Sequence, residues 1–152
     1  MIKFKNIGDF KNARNIGTVA TTVELKNGNL VTLDKATGTI ALPTSETAKN
    51  GLWIVMNERE PVVFTGTTDD YVIKVGEYPR LFDVATLKGV TLEMNDICLA
   101  TPYTEVAKGD TLVADTSGKF VKIDDATGYE TAFTVMDKTG YAGNGLEVEV
   151  NA

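Results

Sequence analysis

Gly28-Asn29-Leu30-Val31-Thr32-Leu33-Asp34, followed by Gly38 and then Trp53-Ile54-Val55-Met56-Asn57, returns later in the chain. The second version is Gly109-Asp110-Thr111-Leu112-Val113-Ala114-Asp115, then Gly118 and Phe133-Thr134-Val135-Met136-Asp137. One single-residue gap aligns the two, and glycine, aspartate, glycine, aromatic and Val-Met recur in the same order. Turn preferences account for glycine and aspartate in any β-meander. They do not account for the Val-Met pair: the chain has four methionines including Met1, and two of the other three fall at equivalent places. The phrase therefore reads as two related β-modules, at about 19–80 and 81–152, within a β-rich body over 19–152.

Working outward, the signals are of short β-branched or aromatic runs separated by Gly, Asn and Asp. Thr21 to Leu25, Leu30 to Leu33, Thr39 to Leu42, Leu52 to Met56, Val62 to Phe64 and Tyr71 to Val75 read as strands in the first half. Lys26-Asn27-Gly28-Asn29 reads as a hairpin turn between the first two. In the second half the strands are Leu81 to Val84, Val90 to Met94, Ile97 to Leu99, Leu112 to Ala114, Phe120 to Ile123, Thr131 to Met136 and Leu146 to Val150, with Tyr141 to Gly145 as a hairpin turn. Only Ser45 to Asn50 and Asp83 to Lys88 have room for a helical turn. The fold expected is all-β, a β-barrel or β-tulip-like body, since many short strands with regular turns are met in barrels and sandwiches.

Residues 1–18 differ from this body. Ile2, Phe4, Ile7, Phe10 and Ile16 are scattered among Asn6, Asn12, Asn15, Gly8 and Gly17 without the period of a helix or a strand. Such a segment is an N-terminal arm that either packs on its own domain or is covered by a partner. Its charge is also distinct: Lys3, Lys5, Lys11 and Arg14 oppose Asp9, a net of +3 over residues 1–22, within a chain of net −6. A basic arm precedes an acidic body, and the acidic balance argues against a nucleic-acid surface.

The inventory of reactive groups is short. The sequence holds no histidine and one cysteine, so Ser-His-Asp or Cys-His pairs, His-ligated zinc and thiolate metal centres are excluded. No phosphate-binding glycine loop of the P-loop or dinucleotide type is present. Asp69-Asp70 and Asp124-Asp125 read as turn aspartates, and Glu147 and Glu149 alternate on a solvated strand face. Asp124 to Glu130 is rich in oxygen ligands but lacks the spacing of a calcium loop. Cys98 reads as a small core hydrophobe. No cofactor and no metal are expected, and the chain is not read as an enzyme. With no apolar run long enough for a membrane span, the chain reads as soluble.

Val106-Ala107-Lys108-Gly109-Asp110-Thr111-Leu112-Val113, then Ser117-Gly118-Lys119-Phe120-Val121-Lys122-Ile123, Phe133-Thr134-Val135-Met136-Asp137 and Leu146-Glu147-Val148-Glu149-Val150 together resemble the small β-rich capsid decoration proteins of tailed bacteriophages. The resemblance covers the last third of the chain closely and residues 28–75 more loosely. It implies a head-stabilising cement protein in the virion, made in the host cytoplasm and seated on the outer face of the major capsid protein, as a monomer or as a homo-oligomer such as a trimer. It also implies that the arm Met1 to Thr18 lies on capsid subunits, with Ile2, Phe4, Ile7 and Phe10 as anchors and Lys3, Lys5, Lys11 and Arg14 facing acidic capsid surface. The rival reading is a tail or baseplate component or a surface adhesin, with Trp53, Tyr71, Tyr78, Tyr103, Tyr129 and Tyr141 as sugar-stacking platforms. Against it, Trp53 lies in an apolar run that reads as core.

Overall fold

Short runs of branched and aromatic residues bounded by turn formers have few alternatives to extended structure. The computed structural model describes residues 1–6, 13–57 and 71–152. In chain order its strands are β1 Ile2–Phe4, β2 Asn15–Ile16, β3 Leu30–Asp34, β4 Thr39–Ala41, β5 Leu52–Val55, β6 Leu81–Asp83, β7 Thr91–Asn95, β8 Thr111–Ala114, β9 Phe120–Ile123, β10 Ala132–Thr139 and β11 Gly145–Asn151. Helical structure among the described residues is confined to 3₁₀ turns, at Thr47–Lys49, Val84–Leu87, Asp96–Cys98 and Tyr103–Glu105. The protein is all-β.

Two antiparallel sheets result, one ordered β2-β6-β5-β3-β4 and the other β1-β7-β11-β10-β8-β9. Without β1, the two orders are the same when each unit is counted from its own first strand. The first unit uses β2 to β6 and the second β7 to β11, so the units run from Asn15 to Asp83 and from Thr91 to Asn151. Leu81–Asp83 therefore lies in the first sheet.

The equivalence extends to single hydrogen bonds. Val31 stands opposite Trp53 and Leu112 opposite Phe133. The amide of Val55 donates to the Asn29 carbonyl and that of Val135 to the Asp110 carbonyl, both at 2.9 Å. Gly28 donates to Val55 and Gly109 to Val135, both at 2.8 Å. Even the coverings of the outer strands correspond. Thr21 forms a parallel bridge to Ile40 on β4, and Leu99 forms one to Phe120 on β9. Such covers shield edges that would otherwise present unpaired backbone to other chains.

The sheets stack face to face, front against back. The residues of the second sheet that point into the main core, Leu92, Leu112, Phe120, Phe133, Val135 and Val148, pack with Leu30, Leu52, Ile54 and Phe82 of the first sheet. By the register, those four lie on the face of the first sheet equivalent to the outer face of the second. The opposite face of the first sheet, with Val31, Trp53, Val55, Leu81 and Ile40, is covered by Leu25 and Ile73 in a second cluster. Leu25 and Ile73 also pair with each other through an antiparallel bridge. The first sheet is thus buried on both faces, which explains why all four residues of β5 are buried, a run expected of a strand between two apolar layers.

Three expectations are corrected. Neither sheet closes on itself, so the body is a stack of two open sheets and not a closed barrel. Ile97 to Leu99 is not a strand: Asp96–Cys98 forms a 3₁₀ turn, closed by the Leu99 amide on the Asp96 carbonyl and anchored by Asn144 on the Asp96 carboxylate. The turn at Gly28 closes no hairpin with Thr21 to Leu25, because β3 pairs instead with β4 and β5. The region around Val62 to Phe64, with the turn at Asp69-Asp70, lies outside the described residues.

Candidate functional site

The candidate binding segment begins as a strand. β1 adds to the edge of β7 with Ile2 opposite Met94, Lys3 opposite Glu93 and Phe4 opposite Leu92. Alternation then assigns the side chains. Ile2 is buried in the main core, and Phe4 meets Phe82 of the other sheet edge to face, with ring centroids 5.2 Å apart. Both are therefore core residues of this chain, which is one of the two fates open to the apolar residues of the arm.

Lys3 and Lys5 point to the outer face of the second sheet, which carries a row of carboxylates. Glu93 stands opposite Glu147, and Glu147 opposite Asp137. Lys3 Nζ lies 3.1 Å from Glu93 and 4.4 Å from the centre of the Tyr141 ring. Lys5 pairs with Glu147 and lies 3.7 Å from Glu93. The hydrogen bond from Lys5 to Glu147, reinforced by Glu93, raises the Lys5 ammonium above its ordinary value, so it stays charged at any physiological pH. Glu93 is nearly buried at 9% exposure, and two lysines compensate the cost of placing its charge there. Met1 completes the attachment: its ammonium donates to Asn95 Oδ1, and its carbonyl accepts from the Asn95 amide at 3.0 Å.

Arg14 lies at the far end of the segment, on the other sheet. Its carbonyl accepts from Asp83 at 2.9 Å, its amide donates to Thr86 Oγ1 at 3.0 Å, and its guanidinium lies 3.9 Å from the Asp83 carboxylate. It also stands 6.0 Å from the centre of Trp53. Ile7, Phe10 and Lys11 lie outside the described residues. The structure thus places Ile2, Lys3, Phe4 and Lys5 together on the second sheet and Arg14 on the first.

Sequence reasoning did not find Glu93, Asn95 and Tyr141 as partners of this segment. The available signal was the alternation Thr91-Leu92-Glu93-Met94, which marks one face of a strand as polar.

Of the remaining candidates, Cys98 takes part in packing and Asp125 in a turn. Cys98 is buried against Gly28. Asp125 accepts from the Thr127 amide, and the Thr127 side chain and amide hold its carboxyl below the ordinary range. Among the described residues no three His, Cys, Asp or Glu side chains gather as metal ligands, and no helix is long and apolar enough to cross a membrane. Trp53 is buried, and of the five tyrosines only Tyr78 is largely exposed. Comparison with known protein families, with curated proteins and with solved structures finds no match to this chain.

Proposed function

We propose that the chain is a non-enzymatic structural protein of a tailed-phage virion, bound to the outer surface of the major capsid protein and stabilising the head. The observation that carries the reading is the arrangement of the described surface. Two β-units stack, the outer strands β4 and β9 each carry a covering bridge, and the ionisable groups described above serve turns or cross-strand pairs. Such a body offers a rigid surface on which a partner can dock. The resemblance of residues 106–150 to decoration proteins points the same way, and the acidic body favours solubility when copies are crowded.

The contact must respect the packing of Ile2 and Phe4. What the N-terminal region offers a capsid subunit is its cations: the side chains of Lys3, Lys5 and Arg14 remain 52%, 38% and 59% exposed. Each exposed pair contributes little alone, and many copies on a lattice act through avidity. Deleting residues 1–18 would remove two strands and the core side chains of Ile2 and Phe4, so the informative variant is Lys3→Gln with Arg14→Gln. Co-sedimentation with expanded heads lacking the protein should show saturable binding by the wild type that raises head survival on heating. The double variant should bind less, with an unchanged fold. Failure of the folded wild type to bind heads would overturn the reading and favour the tail or adhesin alternative.

A further inference from the structure

We propose that β1 is an exchangeable strand, and that at high local concentration it docks along β7 of a second copy of this chain, linking neighbours. The inference rests on the head-surface reading only for the setting in which copies become crowded.

The repeat isolates β1 as an addition. The second unit has the same five-stranded order as the first, and among the described residues the first ends with β2 at its edge and no sixth strand beyond it. β1 is therefore not required to define the unit it joins. Its attachment is also small, three register pairs at the edge of a sheet. Among the described residues, β1 with its flanking Met1 and Lys5 reaches distant parts of the sequence, at Phe82, Glu93, Asn95, Tyr141 and Glu147.

The fit is nonetheless specific. Ile2 enters the core, Phe4 meets Phe82, and Lys3 and Lys5 match the carboxylates of Glu93 and Glu147. Every copy carries both the strand and its groove, so the same contacts form within one chain or between two. Within one chain, tethering favours the closed form in dilute solution. Between chains, the balance moves as neighbours approach the effective concentration set by the tether. Exchange of an identical element is a low-cost route to association because it creates no new contact.

The test uses the full chain with Cys98→Ser and two separate variants, Lys3→Cys in one preparation and Glu93→Cys in the other. Directly paired residues on antiparallel strands lie within disulfide reach, and neither variant alone holds the two cysteines needed for this bond. The preparations are mixed at high concentration, incubated and oxidised, with Lys3→Cys plus Thr116→Cys as a control mixture. Exchange predicts that the first mixture shifts from the 16.4 kDa monomer to twice that mass on a non-reducing gel. The control mixture should show much less, and the yield should rise with protein concentration. Equal yields in the two mixtures, or monomer alone, would overturn the proposal. To exclude loss of the groove, a Lys3→Cys/Glu93→Cys chain should close internally when dilute. If it does and the mixture still gives no dimer, exchange does not occur. Head binding without exchange would refute this inference alone, and exchange without head binding would refute only the virion reading.

Discussion

The two five-stranded units share a strand order and register but differ in what covers their equivalent faces. On the first sheet, Leu30, Ile54 and Phe82 face the second sheet and are fully buried. By the register, their counterparts are Thr111, Thr134 and Glu149 on the outer face of the second sheet, all partly exposed. One backbone pattern thus serves as an interior layer in one unit and an outer layer in the other, and the side chains on one face set the difference. A repeated unit that is apolar on both faces would have no natural end, so an end unit needs a polar outer face.

The largest effect should come from giving the inner layer the outer layer's residue. Phe82→Glu places a carboxylate among the apolar side chains of the main core, and loss of the cooperative urea transition is expected. The milder Phe82→Ala should cost about 3–5 kcal/mol. A Phe82→Glu chain as stable as the wild type would refute the front-to-back packing.

The reciprocal change sharpens the same comparison. Thr111→Leu, Thr134→Ile and Glu149→Phe together would give the outer face the character of the inner one. The fold should survive, and light scattering should report concentration-dependent self-association, as expected for a newly exposed apolar patch. A strictly monomeric triple variant would show that apolarity on this face does not suffice for docking.

Equivalent glycines form a third test. Gly38 and Gly118 have φ of +67° and +74°, and Gly28 and Gly109 have φ of +94° and +91°. Alanine at any of them adopts a left-handed conformation costing roughly 1–2 kcal/mol. At Gly38 and Gly109 nothing lies within 4 Å of the added carbon. At Gly118 it would lie 2.6 Å from the Leu30 carbonyl oxygen of the other sheet, and at Gly28 it would overlap the Cys98 sulfur. Gly118→Ala and Gly28→Ala should each cost about 1–3 kcal/mol more than their counterparts by chemical denaturation. Equal costs within each pair would remove the packing explanation.

The smallest effect is electrostatic. Asn29 Oδ1 accepts from the Lys26 amide at 2.6 Å, and Asp110 Oδ2 accepts from the Ala107 amide at 2.7 Å, so one turn is closed by a neutral group and the other by a carboxylate. The hydrogen bond from Lys122, then that from the Ala107 amide, holds the Asp110 carboxyl below its ordinary value of 3.8. A depressed value stabilises the fold fully above 3.8 and loses that contribution as the pH falls through it. The difference in melting temperature between wild type and Asp110→Asn should therefore be largest near neutrality and shrink in acid. A difference independent of pH would exclude the charge as its source.

Much of this was legible in the residues. The aligned phrase paired Val31 with Leu112 and Trp53 with Phe133, and these residues occupy equivalent ladder positions because glycine and aspartate fix where each strand starts and stops. The buried setting of Trp53 and Cys98 was legible from their apolar neighbours. The barrel was not excluded by sequence, since strand runs do not reveal whether outer strands meet or are covered, as β4 and β9 are. β1 was hidden for a related reason: three residues give too short a pattern, and the partners that make Ile2-Lys3-Phe4 a strand lie near Glu93 and Glu147. The candidate residues were only partly placed, because basic and apolar character could be seen but not the carboxylates and core that receive it.

Front-to-back stacking gives this molecule a direction. Units related by a two-fold axis would show the same surface at both ends, whereas here one end is the layer over Trp53 and the other is the row of Glu93, Glu147 and Glu149. A chain with unlike ends offers a different chemistry at each, so a partner that fits one end does not thereby fit the other. Any rotational symmetry in an assembly of copies must then come from contacts between chains and not from within one chain.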